Sequence, residues 1–420
     1  MVHHQDLGAC IQKRLWRYYR RPSRRDKRND GDPASLALRL FGKSGSPLSR
    51  MGVAMALNGE TIHRHGGFRK TDFSRLGIRE RRVSDFSVNL NPLGPPPLIR
   101  DRWPELFSGI EDYPSVEGEG VACYYEKKYG IGSDQFLAGN GSTEMIYLLP
   151  KALGIKRALV PVPSFHDYSR ASRLAGASVL HQPLLQRDHT FEADIGAIMD
   201  QMKVSDALWM GNPNNPTGNL HRKETILEIC ERFPDKWIIV DEAFMPFVEN
   251  RDLFSVLTPH PPRNLLVLHS LTKFYALAGI RMGGVIASRE VIRTLRRFKE
   301  PWTVNGIAER IAPLLLECRD YEEKTIALVR SEKKRLFENI RGSAILYPAV
   351  PSVNFLLCQW RSTETLDDCL KELLASGIYV RDCRNFPGLE KNWFRIAVKT
   401  PEENDRLLSA FSSIARRQNG

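Results

Sequence analysis

Three features of this sequence predict an α/β fold, a mostly parallel central sheet covered by helices with a smaller α+β domain after it. Short apolar runs recur as buried strands, at Ala207–Met210, Trp237–Val240 and Leu265–Leu268. Between the first two, Lys223–Phe233 places Ile226, Leu227, Ile229, Cys230 and Phe233 at helical spacing. After Gly284 the texture changes to long amphipathic helices followed by short, well-separated strands, which marks a second domain.

Composition bounds the rest. At 420 residues and 42% hydrophobic, the chain can bury a large core and build two lobes around one site. No apolar run is long enough to span a membrane. The seven cysteines are scattered without a C-x-x-C pair, which argues against a disulfide framework and a zinc site and for a reducing cytoplasm. No metal is expected. Of the net charge of +12, residues 1–50 carry +8, from twelve Lys/Arg against four Asp, leaving +4 for the rest. The body is therefore mildly basic, and no nucleic-acid partner is expected.

In chain order, residues 1–58 read as a basic, disordered extension around Arg20–Arg28. The apolar segment Leu36–Phe41 is too short for a secretory signal and carries Arg39. Residues 59–110 form an arm, with His65-Gly66-Gly67 and then Asp85–Pro97, where a short alternating stretch gives way to Asn- and Pro-rich turns suited to an active-site wall. Residues 111–300 form the large domain, with a helix over Val121–Tyr129 and further strands at Ala158–Val160 and Val179–Leu180. Residues 301–420 form the small domain. Helices are expected over about 289–300 and 306–340, then a strand at Val353–Cys358 and a helix Leu366–Ser376 stopped by Gly377. Strands Ile378–Arg381 and Phe394–Val398 and a last helix from Glu402 complete it.

The chemistry-bearing residues fall at the carboxyl ends of these strands, where open α/β sheets bind ligands. Gly139-Asn140-Gly141-Ser142-Thr143 opens a helix and offers backbone N–H groups to an anion. Phe165 follows a strand end, where an aromatic ring can stack on a ligand. Asn215 lies in the Asn- and Pro-rich loop after Met210, and Asp241 directly follows Val240, where a carboxylate can hold a ring nitrogen protonated. Lys273 follows the Leu265–Leu268 strand, flanked by Ser270 and Thr272 and followed by Arg281. A partly desolvated amine beside hydroxyls and a guanidinium suits a Schiff base with a phosphate-bearing aldehyde. Each of these signals also has an ordinary reading as a cap, a core ring, a turn or a solvated strand end. Their order along one chain is what carries weight.

From about residue 62 onward, that order resembles the fold-type-I, aspartate-aminotransferase-like enzymes that use pyridoxal 5'-phosphate. The resemblance implies that Lys273 carries the cofactor, that Asp241 pairs with the pyridine nitrogen and Asn215 with the phenolic oxygen, and that Phe165 stacks on the ring. It implies a phosphate held by Gly141, Ser142, Thr143, Ser270, Thr272 and Arg281. Tyr113 would reach the cofactor phosphate of a second subunit in a homodimer with shared sites, and Arg395 would bind the substrate carboxylate. Within the superfamily two groups compete, histidinol-phosphate aminotransferases and the threonine-phosphate decarboxylases of cobalamin synthesis. His65–Gly67, Asp85–Gly94, Pro301–Asn305 and Arg381–Leu389 are more similar to the decarboxylases, as is Phe244, where the aminotransferases usually carry Tyr. By the same resemblance His65, Gly66, Asn89 and Arg381 would surround a substrate phosphate, with Asn215 also facing the substrate. The reaction implied is decarboxylation of L-threonine O-3-phosphate, with serine phosphate or a histidinol-phosphate-type amine transfer as alternatives. A DNA-binding sensor built on this fold would need a helix-turn-helix, which residues 1–60 lack the periodicity to supply.

Overall fold

The computed structural model describes residues 66–69, 71, 73 and 82–418. The basic extension and His65 lie outside the described residues.

In chain order the elements are β1 (Ser84–Asp85), α1 (Pro97–Asp101), α2 (Trp103–Phe107), α3 (Glu119–Tyr129), β2 (Phe136–Asn140), α4 (Ser142–Ala152), β3 (Arg157–Val162), α5 (Asp167–Leu174) and β4 (Ser178–Pro183). A hairpin of β5 (Leu185–Arg187) and β6 (Thr190–Glu192) leads to α6 (Ile195–Met202), β7 (Ala207–Gly211), α7 (Lys223–Arg232), β8 (Trp237–Asp241), β9 (Leu265–Ser270) and β10 (Met282–Ile286). Then follow α8 (Arg289–Arg296), α9 (Gly306–Leu314), α10 (Arg319–Arg341), β11 (Leu346–Pro348), β12 (Phe355–Trp360), α11 (Leu366–Ala375), β13 (Ile378–Tyr379), β14 (Arg381–Asp382), β15 (Trp393–Ala397) and α12 (Pro401–Gln418).

Seven strands form one sheet in the order β2-β10-β9-β8-β7-β3-β4, with β10 alone antiparallel to its neighbours. Its central strands are buried along their whole length on both faces, as continuous apolar runs require. Alternation divides them: Leu208, Met210, Ile238, Val240, Leu265 and Val267 pack on one face against α3, α6, α7 and α9. Trp209, Ile239, Leu266 and Leu268 pack on the other against α4, α5 and α8. The smaller sheet, β11-β12-β15-β14, is antiparallel, and its core gathers residues of α10, α11 and α12. The arm joins this second layer: β1 pairs in parallel with β13, and the Phe86 carbonyl accepts the Ala397 N–H at 2.8 Å.

Four details differ from the sequence expectation. The expected strand Ile378–Arg381 is two, β13 and β14, which pair in different sheets with β1 and β15. The span 306–340 is two helices, α9 and α10, separated by a 3₁₀ turn at Leu315–Glu317; Pro313 removes an N–H near the end of α9, and Cys318 (ψ 31°) leaves helical geometry. The helix from 289 stops at Arg296, well before Pro301. Leu227, expected on the buried face of α7, is 38% exposed, because it lies about 100° around the helix from Ile226. At α11 the expected stop holds, with Gly377 at φ 76°, and Thr365 with Asp368 forms a reciprocal cap at the start. Among the described residues no helix is long and apolar enough to cross a membrane.

Candidate active site

β2, β3, β7, β8 and β9 run in one direction, so their carboxyl ends open along one edge of the large sheet. At the end of β8, Asp241 is buried. Its Oδ1 accepts the Ala243 N–H at 2.9 Å and its Oδ2 accepts the Tyr168 hydroxyl at 2.8 Å. Burial raises the carboxyl above its usual range, while the two donors and Lys273 pull it back towards the charged form. Tyr168 itself is fixed by lying flat on Trp209, ring centroids 5.0 Å apart and planes 9° from parallel.

Beyond the end of β9, Lys273 is half-buried. Desolvation holds its ammonium below the usual lysine range; Asp241 opposes that shift and Arg281 adds to it. The backbone around it is tied from outside the sheet. The Asn91 N–H bonds the Lys273 carbonyl at 3.1 Å, and the Asn91 side-chain amide donates to the Phe274 carbonyl and to the Thr325 hydroxyl, both at 2.7 Å. The Thr272 hydroxyl donates to the Met282 carbonyl at 3.3 Å, closing the turn that carries the lysine. Ser270 is wholly buried, and its Oγ accepts the Thr272 N–H at 3.3 Å.

Whether pyridoxal phosphate fits can be judged from the backbone space at the start of α4. Gly141 has φ 76° and gives α4 no side-chain cap, so the N–H groups of Ser142 and Thr143 begin the helix unblocked. A Cβ at Gly141 would lie 2.8 Å from Arg281 Nη2, and a Cβ at Gly283 would lie 2.8 Å from the Ser142 N. Helix N-terminus and guanidinium therefore close on one spot that only glycine leaves open. That cradle, with the buried Ser270 below it and the Tyr168-supported Asp241 along the same edge, fits a phosphate and a protonated ring nitrogen. Phe165 is half-buried and packs edge-on against Tyr168 at 5.7 Å.

The small sheet supplies the cations. Arg381 and Arg395 are register partners on β14 and β15, so both project to one face. Both are buried. Arg395 Nη1 donates to Asn215 Oδ1, and Nη2 donates to the Ser87 carbonyl at 2.9 Å. Its Nε is buried with no hydrogen-bond partner among the described residues. Desolvation, with Arg381 adding to it, lowers its guanidinium to about 10. Arg381 donates to the Asp382 carbonyl and, at 3.0 Å, to Asn385 Oδ1. Under Arg395 lies Phe355, 5.2 Å from the guanidinium carbon, and Phe244 packs edge-on against Phe355 at 5.1 Å.

The structure thus brings Asn215 to Arg395. Asn89 is buried with its Oδ1 unpartnered among the described residues, and its carbonyl accepts the Asn354 amide at 3.1 Å. Gly66 sits against the Ser87 carbonyl. Tyr113 stands apart from these groups, 87% exposed, with its ring 5.8 Å from that of Trp302. Sequence reasoning misses Tyr168, Ser87 and Phe355. Tyr168 lies in the stretch containing Phe165, but its partner Asp241 is 73 residues away, and only the tertiary fold pairs them.

Residues 82–411 match the family model described as aminotransferase class I and II. The chain is 30% identical to the threonine-phosphate decarboxylase of Salmonella typhimurium, over 83% of this chain and 96% of that protein. It is 28% identical to the histidinol-phosphate aminotransferase of Methanothermobacter thermautotrophicus, over 81% and 91%. The crystal structure of histidinol-phosphate aminotransferase from Sinorhizobium meliloti in complex with pyridoxal-5'-phosphate has the same fold, with a TM-score of 0.72 at 16% identity, covering 90% of this chain and 99% of that one.

Proposed function

Because the chain belongs to the class I and II aminotransferase family, which is pyridoxal-phosphate-dependent and of fold type I, we propose that it decarboxylates L-threonine O-3-phosphate to (R)-1-aminopropan-2-yl phosphate and CO2, a step in building the cobalamin nucleotide loop. The observation that carries this reading is the pair of buried arginines on β14 and β15. Two guanidinium groups on one sheet face, one with a buried unpartnered Nε, suit a small substrate bearing two separate anions, a carboxylate and a phosphate.

In this reading Lys273, Asp241, Asn215, Phe165 and the Gly141–Thr143 turn with Ser270 and Arg281 hold the cofactor. When bound, pyridoxal phosphate supplies the aldehyde that captures the substrate amine and the conjugated ring that takes up the electron pair released with CO2. The protein supplies orientation and proton control. Arg395 grips the carboxylate, with Asn215 and the Ser87 carbonyl fixing the plane of its guanidinium. Arg381, with Asn89 and the Gly66 turn, anchors the phosphate at the other end. A substrate held at both ends has one rotational setting left about its Cα, and that setting decides which bond is presented for cleavage. Phe355 and Phe244 form an apolar wall beneath Arg395 that keeps water from competing for the carboxylate. Lys273, already desolvated, is the group able to return a proton at Nζ. Phe244 supports this over amine transfer, since it has no hydroxyl to offer where the aminotransferases that the sequence resembles usually carry Tyr.

The exposed Tyr113 and Trp302, with Phe107 and Ile110 also exposed nearby in sequence, support a homodimer in which Tyr113 completes the partner's site. A cytoplasmic enzyme agrees with the scattered cysteines, which are unpaired among the described residues.

The test is to supply the purified protein with pyridoxal phosphate and L-threonine O-3-phosphate, without a keto acid, and to follow CO2. Sustained release is expected. Failure to release CO2, with amine transfer from histidinol phosphate to 2-oxoglutarate instead, overturns the proposal.

A further inference from the structure

Asp241 and Ser270 end their strands on the face that carries the cofactor residues. Their chain neighbours Glu242 and His269 therefore point to the opposite face. There they help to line a cleft of about 600 Å³, bounded by α7, the end of α3 and residues 251–262. None of its lining residues is among those placed at the cofactor or substrate. A second cavity of about 10 Å³, room for a single water, shares His269, Arg251, Tyr129 and Pro246 as walls. It reaches Ser270 and Leu271, directly behind the turn that carries Lys273.

The inner end of the cleft is built to donate. His269 is 2% exposed, and its Nδ1 lies 2.9 Å from the Tyr125 hydroxyl. Tyr125 is fully buried, and this is the hydroxyl's hydrogen bond. Were Nδ1 the donor, the phenolic proton would be stranded in the core without an acceptor. Tyr125 therefore donates, and the ring proton is on Nε2, which has no hydrogen-bond partner among the described residues. Burial lowers the imidazole to about 3, so the ring is a neutral donor and not a cation. Arg251 stands beside it, and its charge is felt at His269, Tyr129 and Glu242. Lys223, Arg251, Glu242 and Asp252 all line the cleft, but the Glu242 oxygens are already taken by the Ser255 hydroxyl at 2.6 Å and the Val256 N–H at 2.7 Å. Leu227, Met245, Pro246, Val256, Leu257 and Pro262 give the cleft an apolar stretch, and Thr258 and His260 complete the lining. Leu227, 38% exposed on α7, has the cleft as its surroundings.

We propose that this cleft is a second binding site, for a small molecule with an oxyanion head held by Arg251 and the His269 Nε2–H and an apolar body lying against Leu227, Met245 and Val256. A ligand there sits one residue along the chain from both Asp241 and Ser270. The inference is independent of the reaction assigned above.

The experiment is a fluorine NMR titration of the holoenzyme with 4-fluorophenyl phosphate and, separately, 4-fluorobenzoate. Three proteins are compared: wild type, Arg251→Ala and Arg395→Ala. Arg251 is exposed, so its loss spares the core. Saturable binding to wild type and Arg395→Ala, weakened tenfold or more in Arg251→Ala, is expected for at least one probe. Binding of the phosphate alone or the benzoate alone under that pattern supports the site and identifies its head group. Absence of saturable binding, retention of binding in Arg251→Ala, or its loss in Arg395→Ala overturns the proposal, the last by placing the probe at the substrate arginines.

Discussion

The edge of the large sheet and the β14–β15 edge of the small sheet both bury charge, and they treat it in opposite ways. Asp241 is answered on both oxygens, by a backbone N–H and by a phenol braced on Trp209, with the Lys273 charge close by. Arg395 is answered by an amide oxygen and a carbonyl, has one donor unanswered, and shares its face with a second guanidinium. Among the described residues no carboxylate hydrogen-bonds Arg395. Like charges held together in a desolvated place are unfavourable until an anion arrives. The first region is closed in its own hydrogen bonds, as the proposed site of a resident cofactor would be. The second is incomplete at Arg395 Nε, where the proposed substrate carboxylate would bind.

Breaking the complete region should have the largest effect. Lys273→Ala removes the amine beyond the end of β9, and turnover and the visible absorption of bound cofactor should both vanish. Retention of either, measured by CO2 release and by absorbance after gel filtration, would refute the assignment of this lysine. Next comes the incomplete region. Arg395→Lys keeps the charge but loses the planar fork, and the KM for the phosphorylated substrate should rise about 10- to 100-fold, the worth of one or two charge-assisted hydrogen bonds. A KM unchanged in steady-state kinetics would mean that the carboxylate binds elsewhere.

A smaller effect is expected where the comparison is sharpest. Tyr168→Phe leaves the stack on Trp209 and deletes one donor to Asp241. The carboxyl should rise further above its usual range, and cofactor affinity should fall about tenfold, the scale of one hydrogen bond to a charged group. Equilibrium titration of the apoprotein with pyridoxal phosphate measures this. An unchanged affinity would show that the Ala243 N–H alone holds the carboxylate.

The same comparison explains what the sequence could reveal. The positions of Asp241 and Lys273 were legible because one ends an apolar run and the other follows shortly after one, and a run of that kind has few readings other than a buried strand. The Gly141 turn was legible because glycine, serine and threonine before a helix leave a local signature. Arg395 stood inside a readable strand, but its partners, Asn215 and Ser87, are 180 and 308 residues away, and such pairings leave no local trace. The break between α9 and α10 was hidden because apolar residues keep helical spacing through Leu315, so the periodicity continues where the backbone does not. Glu242 and His269 carry no sequence signal of their own, and only the strand alternation seen in the fold places them on the far face. The cleft itself depends on how residues 251–262 pack, which periodicity does not encode.

The smallest expected change is one of slope, and it concerns the neighbour of Asp241 that faces away from the cofactor. Burial pushes the Glu242 carboxyl up to about 7 from an ordinary value of 4.5, against the pull of Ser255, Val256 and Arg251. Between those two values the native state holds a proton that the unfolded chain has released. Stability contributed by this group is therefore present at the acid end and falls as pH rises through the window. Glu242→Gln can still accept from Val256 and turn its amide to the Ser255 oxygen, but it cannot titrate. Between pH 4.5 and 7 the melting temperature of the apoprotein variant should therefore gain on that of wild type, since the buried histidines and Asp241 contribute equally to both curves. Parallel curves for the two proteins would mean that Glu242 is charged throughout. The two neighbouring acids would then be held in the same state on the two faces of the sheet, and the difference between those faces would lie in geometry alone.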